Sequence, residues 1–187
     1  MKKAVFLDKD GTLIQDIPYN VDPERIVLSE GAEESLARLK EQGYLLIVIS
    51  NQAGVAHGYF DVHDLLGVKE RLFLLLKDLD GFYFCPHHPA GVVQAYAIAC
   101  YCRKPEPGMI LQAARDFNIE LSESWMIGDI LSDIEAGNKA GCRTILINNG
   151  NETEWNWNEQ CRPTYTVKNL REASKRILEK AWQTQEE

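Results

Sequence analysis

The stretch that decides the fold is Ala4-Val5-Phe6-Leu7-Asp8-Lys9-Asp10-Gly11-Thr12, near the start of the 187-residue chain. Its four apolar residues predict a short buried strand, and two carboxylates follow before a Gly-Thr turn. Side chains two positions apart on an extended backbone point the same way, so Asp8 and Asp10 should face one small volume. Two like charges that close repel each other unless a cation or a proton lies between them. Taken alone, the stretch could equally be a strand followed by an acidic turn.

Strands and helices alternate along the rest of the chain. Further apolar runs predict strands at 44–49, 81–84, 125–129, 144–147 and 165–167. Helices are predicted from about 30 to the stop at 43, from 61 to about 77, and over 107–117 and 131–140. A last helix begins at a cap formed by Asn169 and frays after about Trp182. For the second helix, Asp61 is the expected cap, and the expected buried face is Leu65, Leu66, Leu72, Leu75 and Leu76.

This alternation is typical of an α/β fold in three layers, with a doubly wound, parallel, Rossmann-like sheet. We expect a single domain over residues 1–187, with an irregular flap at 12–29 covering the carboxyl edge of the sheet. Ligands bind at that edge in open α/β sheets.

Composition narrows the class of partner and the compartment. The net charge of −8 argues against binding to nucleic acid or to an anionic membrane surface. No apolar stretch approaches ~18 residues, and the run after Lys3 is too short for a signal-peptide core. Five cysteines without an export signal favour reduced thiols or metal ligands, and therefore the cytoplasm. An anionic small substrate remains possible if local cations or a metal hold it.

Polar groups gather at the predicted carboxyl edge of the sheet. They are Asp8 and Asp10, Ser50 and Asn51, Arg103 and Lys104, and Gly128-Asp129 with Asp133. Each group has an ordinary alternative explanation: a helix cap or turn for Ser50-Asn51, a solvated pair for Arg103-Lys104, a helix cap for Asp129. Polar ends on several buried strands in one layer favour a shared site over separate caps and turns.

The order of these groups resembles the four motifs of the haloacid dehalogenase (HAD) superfamily of phosphatases. The matching residues are Asp8-x-Asp10-Gly11-Thr12, Ser50-Asn51, Lys104-Pro105 and Gly128-Asp129-x-x-x-Asp133. The segment Arg103-Lys104-Pro105-x-Pro107-Gly108, with the Cys/His segment 85–102, is similar to the cap-less branch (subfamily IIIA) of heptose-bisphosphate phosphatases and histidinol-phosphatases. The resemblance implies a HAD-like fold without a separate cap domain. It also implies a phosphatase that removes the 7-phosphate of a heptose 1,7-bisphosphate, or acts on histidinol phosphate or another small metabolite.

The resemblance also implies roles for the motif residues, and the chemistry explains why these residue types are needed. A phosphate monoester is polyanionic, so its charge must be neutralised before a nucleophile can approach in line. The implied nucleophile is Asp8, which forms an aspartyl-phosphate, and the implied general acid and base is Asp10. Ser50, Asn51 and Lys104 bind the phosphoryl oxygens. The implied Mg²⁺ ligands are Asp8, the backbone carbonyl of Asp10 and Asp129, with Asp133 in support.

Three thiols and one imidazole lie in two short motifs, Cys85-x-His87 and Cys100-x-Cys102. This set suits a tetrahedral Zn²⁺, which would order the loop over 85–102. The alternative is that the cysteines are simply buried, and His88 is a rival to His87 as a ligand. The resemblance implies that His87 is the ligand and that the zinc is structural. Cys142 and Cys161 belong to no motif and are expected to be packing residues.

Substrate specificity is expected from the flap, the residues after Asn51 and the zinc loop. The candidate substrate-binding residues are Asp16, Tyr19, Asn51, Gln52 and Arg103. Two positions depart from the branch: Ile130 stands where a basic residue is usual, and Ala56-His57-Gly58-Tyr59 replaces an arginine and a Gly-Lys pair. Both changes remove cations that would contact a second phosphate or the sugar.

The expected partner is a small phosphorylated metabolite, and the expected form is a monomer, with weak self-association as the alternative. A non-catalytic, zinc-ordered binding module would be expected to have lost Asp8, Asp10, Lys104 or Asp129, and all four are present. A phosphotransferase such as a phosphomutase is disfavoured by an open site, because water must be excluded to pass a phosphoryl group onward.

Overall fold

A six-stranded parallel sheet forms the centre of the protein in the computed structural model, which describes residues 1–183. The strands are Lys3–Leu7 (β1), Tyr44–Asn51 (β2), Gly81–Cys85 (β3), Trp125–Gly128 (β4), Arg143–Ile147 (β5) and Tyr165–Val167 (β6). Their order in the sheet is β3-β2-β1-β4-β5-β6, and every neighbouring pair is parallel. This is the Rossmann order, and it confirms the predicted doubly wound sheet.

Within residues 1–183, five helices cover the two faces of the sheet. They are Ala32–Glu41 (α1), Asp64–Leu75 (α2), Gly108–Phe117 (α3), Leu131–Ala140 (α4) and Leu170–Gln183 (α5). Short 3-10 helices lie at Pro23–Arg25, Leu121–Glu123 and Glu159–Cys161. No helix in residues 1–183 is long and apolar enough to cross a membrane. The fraying expected after about Trp182 begins at Gln183, which still belongs to α5, and residues 184–187 lie outside the described part.

Side chains along β1 point alternately to the two faces of the sheet and contribute to two separate layers of the core. Val5 and Leu7 pack in one cluster with residues of α1, α2 and α5. Phe6, on the opposite face, packs in a second cluster with residues of α3 and α4. Because β1 is buried on both faces, its sequence is continuously apolar. The strand therefore holds the following loop rigidly at the carboxyl edge.

The second helix differs from its prediction at both ends and on one face. It begins at Asp64, because Asp61 forms a turn instead: its carboxylate accepts from the His63 amide at 2.9 Å. The helix ends at Leu75, two residues before the predicted end. The prediction that Leu66 faces inward is wrong, since that side chain is 54% exposed while Leu65 is buried. Adjacent helical residues are ~100° apart, so only one of two neighbouring leucines faces the core.

The strand order sets the position of the site. From β1 the chain proceeds outward to β2 and β3, then returns to place β4 on the other side of β1. The carboxyl ends of β1 and β4 therefore lie side by side at the point where the order reverses, which is where such sheets bind ligands. Asp8 follows β1 and Asp129 follows β4. The chain between Asn51 and Lys104 forms α2, β3 and the loop over 85–102.

Candidate active site

A buried lysine lies at the centre of the site. Lys104 donates a hydrogen bond to Asp8 Oδ1 at 2.5 Å and another to the Ile49 carbonyl at 3.0 Å. Its ammonium also lies 2.6 Å from Asp133 Oδ1. The side chains of Lys104 and Asp133 are 2% and 0% exposed, so this is an ion-pair network away from bulk water. Asp133 reaches the lysine because Gly128 leaves room: a Cβ at Gly128 would lie 2.2 Å from the Asp133 side chain.

The acidic groups carry more charge than the lysine compensates. One carboxylate oxygen from each of Asp8, Asp129 and Asp133 lies within 4.8 Å of the others. Burial raises the pKa of Asp8, although Lys104 opposes the shift. Burial and the nearby Asp133 together raise the pKa of Asp129 to about 7. Three buried carboxylates beside one ammonium form a set of oxygen donors that fits a hard divalent cation.

Asp10 is held differently from Asp8. Its carboxylate accepts a hydrogen bond from Lys9 at 2.5 Å and one from Gln52 at 3.3 Å. About a third of its side chain is exposed, whereas Lys9 is almost fully buried. Asp8, Asp10, Lys104 and Asp129 all line one cavity of about 190 Å³. The structure thus brings the two carboxylates of the opening stretch to one space, with different partners and different access to solvent.

The residues at the end of β2 fix the position of the lysine. The Asn51 side chain accepts from the Lys104 amide and donates to the Lys104 carbonyl, both at 3.0 Å. This two-point contact holds the backbone beside the cis Lys104–Pro105 peptide bond. Ser50 is fully buried, and its hydroxyl accepts a hydrogen bond from Gln52 at 2.8 Å. In this structure Ser50 therefore contacts Gln52. Asn51 and Gln52 line a second, wider cavity at the mouth of the site.

A wider cavity of about 430 Å³ lies at the mouth of the site. Its wall includes the predicted substrate-binding residues, namely Asp16, Tyr19, Asn51, Gln52 and Arg103. Burial and the charge of Asp10 raise the pKa of Asp16. The flap is joined to the segment after β2 by an edge-to-face contact of Tyr19 with Tyr59, with ring centroids 4.7 Å apart. The size suits a small ligand.

Of the two departures from the branch, Ile130 lines the cavity at this mouth, whereas His57 contacts Tyr59 on the segment after β2. Ile130 lines both cavities and contributes an apolar side chain there. His57 lies with its ring 4.7 Å from that of His88 and 5.6 Å from that of Tyr59. Arg103 keeps its place in the cavity wall and donates a hydrogen bond to the His87 carbonyl at 3.3 Å. The guanidinium is thereby joined to the loop over 85–102.

The cysteine and histidine side chains of that loop meet in one cluster. Their ligand atoms lie within 4.8 Å of one another, and the residues are Cys85, His87, Cys100 and Cys102. Contacts of 3.0–3.4 Å join the three sulfurs, and His87 Nδ1 lies 3.4 Å from Cys102 Sγ. These sulfurs are too far apart for disulfides, whose S–S bond is ~2.05 Å. The cluster contains His87, whereas His88 accepts from the Ala90 amide and lies outside it.

Comparison with known proteins identifies the family. Residues 101–173 match the family described as HAD-hydrolase-like. The D-glycero-beta-D-manno-heptose-1,7-bisphosphate 7-phosphatase of Pasteurella multocida is 43% identical over 155 residues, which cover 80% of this chain and 84% of that protein. The chain belongs to the HAD superfamily of phosphatases. This confirms the resemblance drawn from the four motifs.

Two further relatives of this phosphatase differ in the substrate or ligand that they are named for. A D-glycero-alpha-D-manno-heptose-1,7-bisphosphate 7-phosphatase of Burkholderia mallei is 39% identical over 149 residues, covering 78% of this chain and 79% of that protein. The crystal structure of the heptose bisphosphate phosphatase of B. bronchiseptica, complexed with magnesium and phosphate, has a TM-score of 0.77 at 27% identity. That alignment covers 95% of this chain and 99% of the other.

Sequence reasoning missed the residues that follow β5. Asn151 donates a hydrogen bond to Asp129 Oδ2 at 2.7 Å, and Asn149 donates one to the Gly11 carbonyl at 2.8 Å. On its own, the sequence of 149–163 indicates only a polar loop. Its position in the chain could have indicated a role in the site, because the segment follows the carboxyl end of β5, which lies next to β4. Further along this loop, Trp155 and Trp157 are exposed and stack on each other with centroids 5.5 Å apart.

The two remaining cysteines of the phosphatase lie in the protein interior, as expected for packing residues. Cys142 and Cys161 are 7% and 3% exposed. Burial raises the pKa of Cys142 to about 12. Cys161 donates a hydrogen bond to Glu135 at 3.3 Å.

Proposed function

We propose that this phosphatase removes the 7-phosphate of D-glycero-D-manno-heptose 1,7-bisphosphate. The observation that carries the proposal is the meeting of Asp8, Lys104 and Asp129 at the point where the strand order reverses. The substrate is supported by relatives of about 40% identity that are named for this reaction. The proposed enzyme acts as a monomer and as one domain, and the cavity of about 430 Å³ takes the sugar.

Asp8 is the proposed nucleophile. Its carboxylate attacks phosphorus, the bond from phosphorus to the sugar oxygen breaks, and an aspartyl-phosphate remains on the enzyme. Burial disfavours the charged form that must attack, so Lys104 at 2.5 Å is needed to keep the carboxylate ionised. Water then attacks the acyl phosphate, which releases inorganic phosphate and restores Asp8.

Asp10 and Lys104 serve the two half-reactions. Asp10 gives its proton to the departing sugar oxygen and later takes a proton from the attacking water. Its partial exposure and its place in both cavities support this exchange. Lys104 offsets negative charge on the phosphoryl oxygens from a position fixed by Asn51. Asp133 keeps the buried ammonium in place.

The carboxylates fit a magnesium ion. Asp8, Asp129 and the backbone carbonyl of Asp10 would hold Mg²⁺, with Asp133 supporting the set through Lys104. Mg²⁺ supplies charge neutralisation at the phosphoryl group and helps to align it for attack. A structural neighbour with bound magnesium and phosphate supports this assignment.

The thiol cluster fits a structural zinc ion. We propose that Cys85, His87, Cys100 and Cys102 hold Zn²⁺, because all four positions are filled by protein groups. Contacts of 3.0–3.7 Å link the three sulfurs and His87 Nδ1, the order of spacing expected around a metal with bonds of ~2.3 Å. Reduced thiols at this site agree with a cytoplasmic location. Elemental analysis should give about one zinc per chain, and double replacement of Cys100 and Cys102 by serine should remove it.

Phosphate release from a panel of metabolites tests the function. The panel contains both anomers of heptose 1,7-bisphosphate, histidinol phosphate and fructose 1,6-bisphosphate, each with Mg²⁺. The expected result is the highest kcat/KM for a heptose bisphosphate. Asp8→Asn should abolish turnover, whereas Asp78→Asn, before β3 at the opposite edge of the sheet, should leave it unchanged. A preference for histidinol phosphate would overturn the substrate assignment, and turnover by Asp8→Asn would overturn the nucleophile.

A further inference from the structure

The segment Asn149-Gly150-Asn151-Glu152, which we call the β5 clasp, contacts both acidic loops of the site. The Asn149 side chain donates a hydrogen bond to the Gly11 carbonyl in the loop after β1. The Asn151 side chain donates a hydrogen bond to the Asp129 carboxylate in the loop after β4. Glu152 accepts a hydrogen bond of 2.7 Å from the Leu131 amide at the start of α4. Four consecutive residues therefore join the two loops that supply the proposed metal ligands.

The β5 clasp is itself ordered by internal contacts. The Asn151 amide donates to Asn149 Oδ1 at 3.1 Å, and the Glu154 amide donates to Glu152 Oε1 at 2.7 Å. Asn149 thus uses one end of its side chain on Gly11 and the other on Asn151. This leaves the Asn151 side chain aimed at Asp129 from a fixed backbone.

The side chains of Asn151 and Asp129 pack closely against the backbone of Gly11. A Cβ at Gly11 would lie 2.0 Å from Asp129 Oδ2 and 2.3 Å from Asn151 Nδ2. The two side chains therefore rest directly on the Gly11 backbone. An amide that donates to one carboxylate oxygen fixes the rotation of the whole carboxylate and favours its ionised form.

We infer that Asn151, aligned by Asn149, is a positioning residue that orients the Asp129 carboxylate toward the catalytic cation. One oxygen of Asp129 is occupied by the amide, and the other is left for the metal. The hydrogen bond also lowers the pKa of Asp129 against the effects of burial and of Asp133. The inference rests on the magnesium site of the proposed function, but it does not depend on which phosphate ester is the substrate.

Binding of Mn²⁺, measured by electron paramagnetic resonance on the zinc-loaded protein without substrate, tests the inference. Asn151→Ala should raise the Mn²⁺ dissociation constant by about 10-fold to 100-fold, as is usual when a residue supporting a metal ligand is lost. Asn149→Ala should raise it by less. Asn156→Ala is the matched control from the same exposed loop and should leave it unchanged. Urea unfolding midpoints establish that each variant is folded.

Kinetics separate positioning from substrate contact. With Asn151→Ala, the Mg²⁺ concentration for half-maximal phosphate release should rise, while the substrate KM at saturating Mg²⁺ should stay constant. Unchanged Mn²⁺ affinity, or an equal loss with Asn156→Ala, would overturn the inference. So would a raised substrate KM with normal Mn²⁺ affinity, which would make Asn151 a substrate contact. Weakened Mn²⁺ binding in an enzyme that prefers another phosphate ester would sustain the inference and overturn only the proposed substrate.

Discussion

Replacement of Lys104 by methionine should strongly destabilise the phosphatase as well as inactivate it. The change keeps an unbranched side chain of similar length but leaves Asp8 and Asp133 buried without their counterion. At separations of 2.5 and 2.6 Å and an effective dielectric constant of about 20, each attraction amounts to about 6 kcal/mol before desolvation is counted. Removal of one partner from a buried ion pair typically lowers the free energy of unfolding by about 3–5 kcal/mol. We expect a loss in that range for Lys104→Met.

Urea denaturation of the zinc-loaded protein without added Mg²⁺ measures this loss. Lys77→Met is the matched control, since Lys77 is exposed, and its effect should stay within about 0.5 kcal/mol. Combining Lys104→Met with Asp133→Asn removes one of the unpaired charges and should recover part of the loss. A loss below about 1 kcal/mol for Lys104→Met, or no recovery in the double variant, would refute the view that the network is a buried, mutually dependent set of charges.

Three further predictions concern other parts of the molecule. Gly11→Ala should abolish activity, because φ is +81° and the new Cβ would lie 2.0 Å from Asp129 Oδ2; Gly43→Ala, at φ +80° with nothing within 4 Å, should retain activity in the same assay. Removal of zinc by a chelator should lower the thermal unfolding midpoint and the phosphatase activity together, and an unchanged midpoint would contradict a structural role. Burial raises the pKa of Cys142 to about 12, so iodoacetamide at pH 8 should leave it unmodified in the folded protein and alkylate it in urea, as read by mass spectrometry; rapid labelling of the folded protein would be inconsistent with this burial.

The sequence was informative where one physical requirement determines the residue pattern. Strands buried on both faces must be continuously apolar, and for this reason β1, β2 and β5 could be predicted from their own residues. The alternation with helices predicted a parallel, doubly wound sheet, and the strand order seen in the structure places Asp8 beside Asp129. The α2 prediction was less accurate because several neighbouring leucines fit more than one helical phase. The choice of Leu65 over Leu66 depends on tertiary packing.

The site was predictable in its residue types but less so in its contacts. Lys104 was expected to bind phosphoryl oxygens, yet its buried contacts with Asp8 and Asp133 depend on side chains more than twenty residues away. Asn149 and Asn151 were missed because an asparagine in a polar loop is ordinary on its own. Only the sheet order β1-β4-β5 gives these amides a carbonyl and a carboxylate to bind.

The cluster of Cys85, His87, Cys100 and Cys102 closes the loop 85–102 at its base, so the two ends of the loop are held together apart from the residues between them. Cys85 ends β3 and Cys102 lies two residues before Lys104, so the lysine that we propose to be catalytic follows the closed base of the loop. Within the loop, Val92 is 78% exposed, and its amide and that of Val93 donate to the Ala56 carbonyl. We therefore expect exposed residues between the two pairs of proposed ligands, such as Val92, to tolerate substitution while the lysine keeps its position. A new substrate range can arise in such a loop without rebuilding the chemistry beneath it.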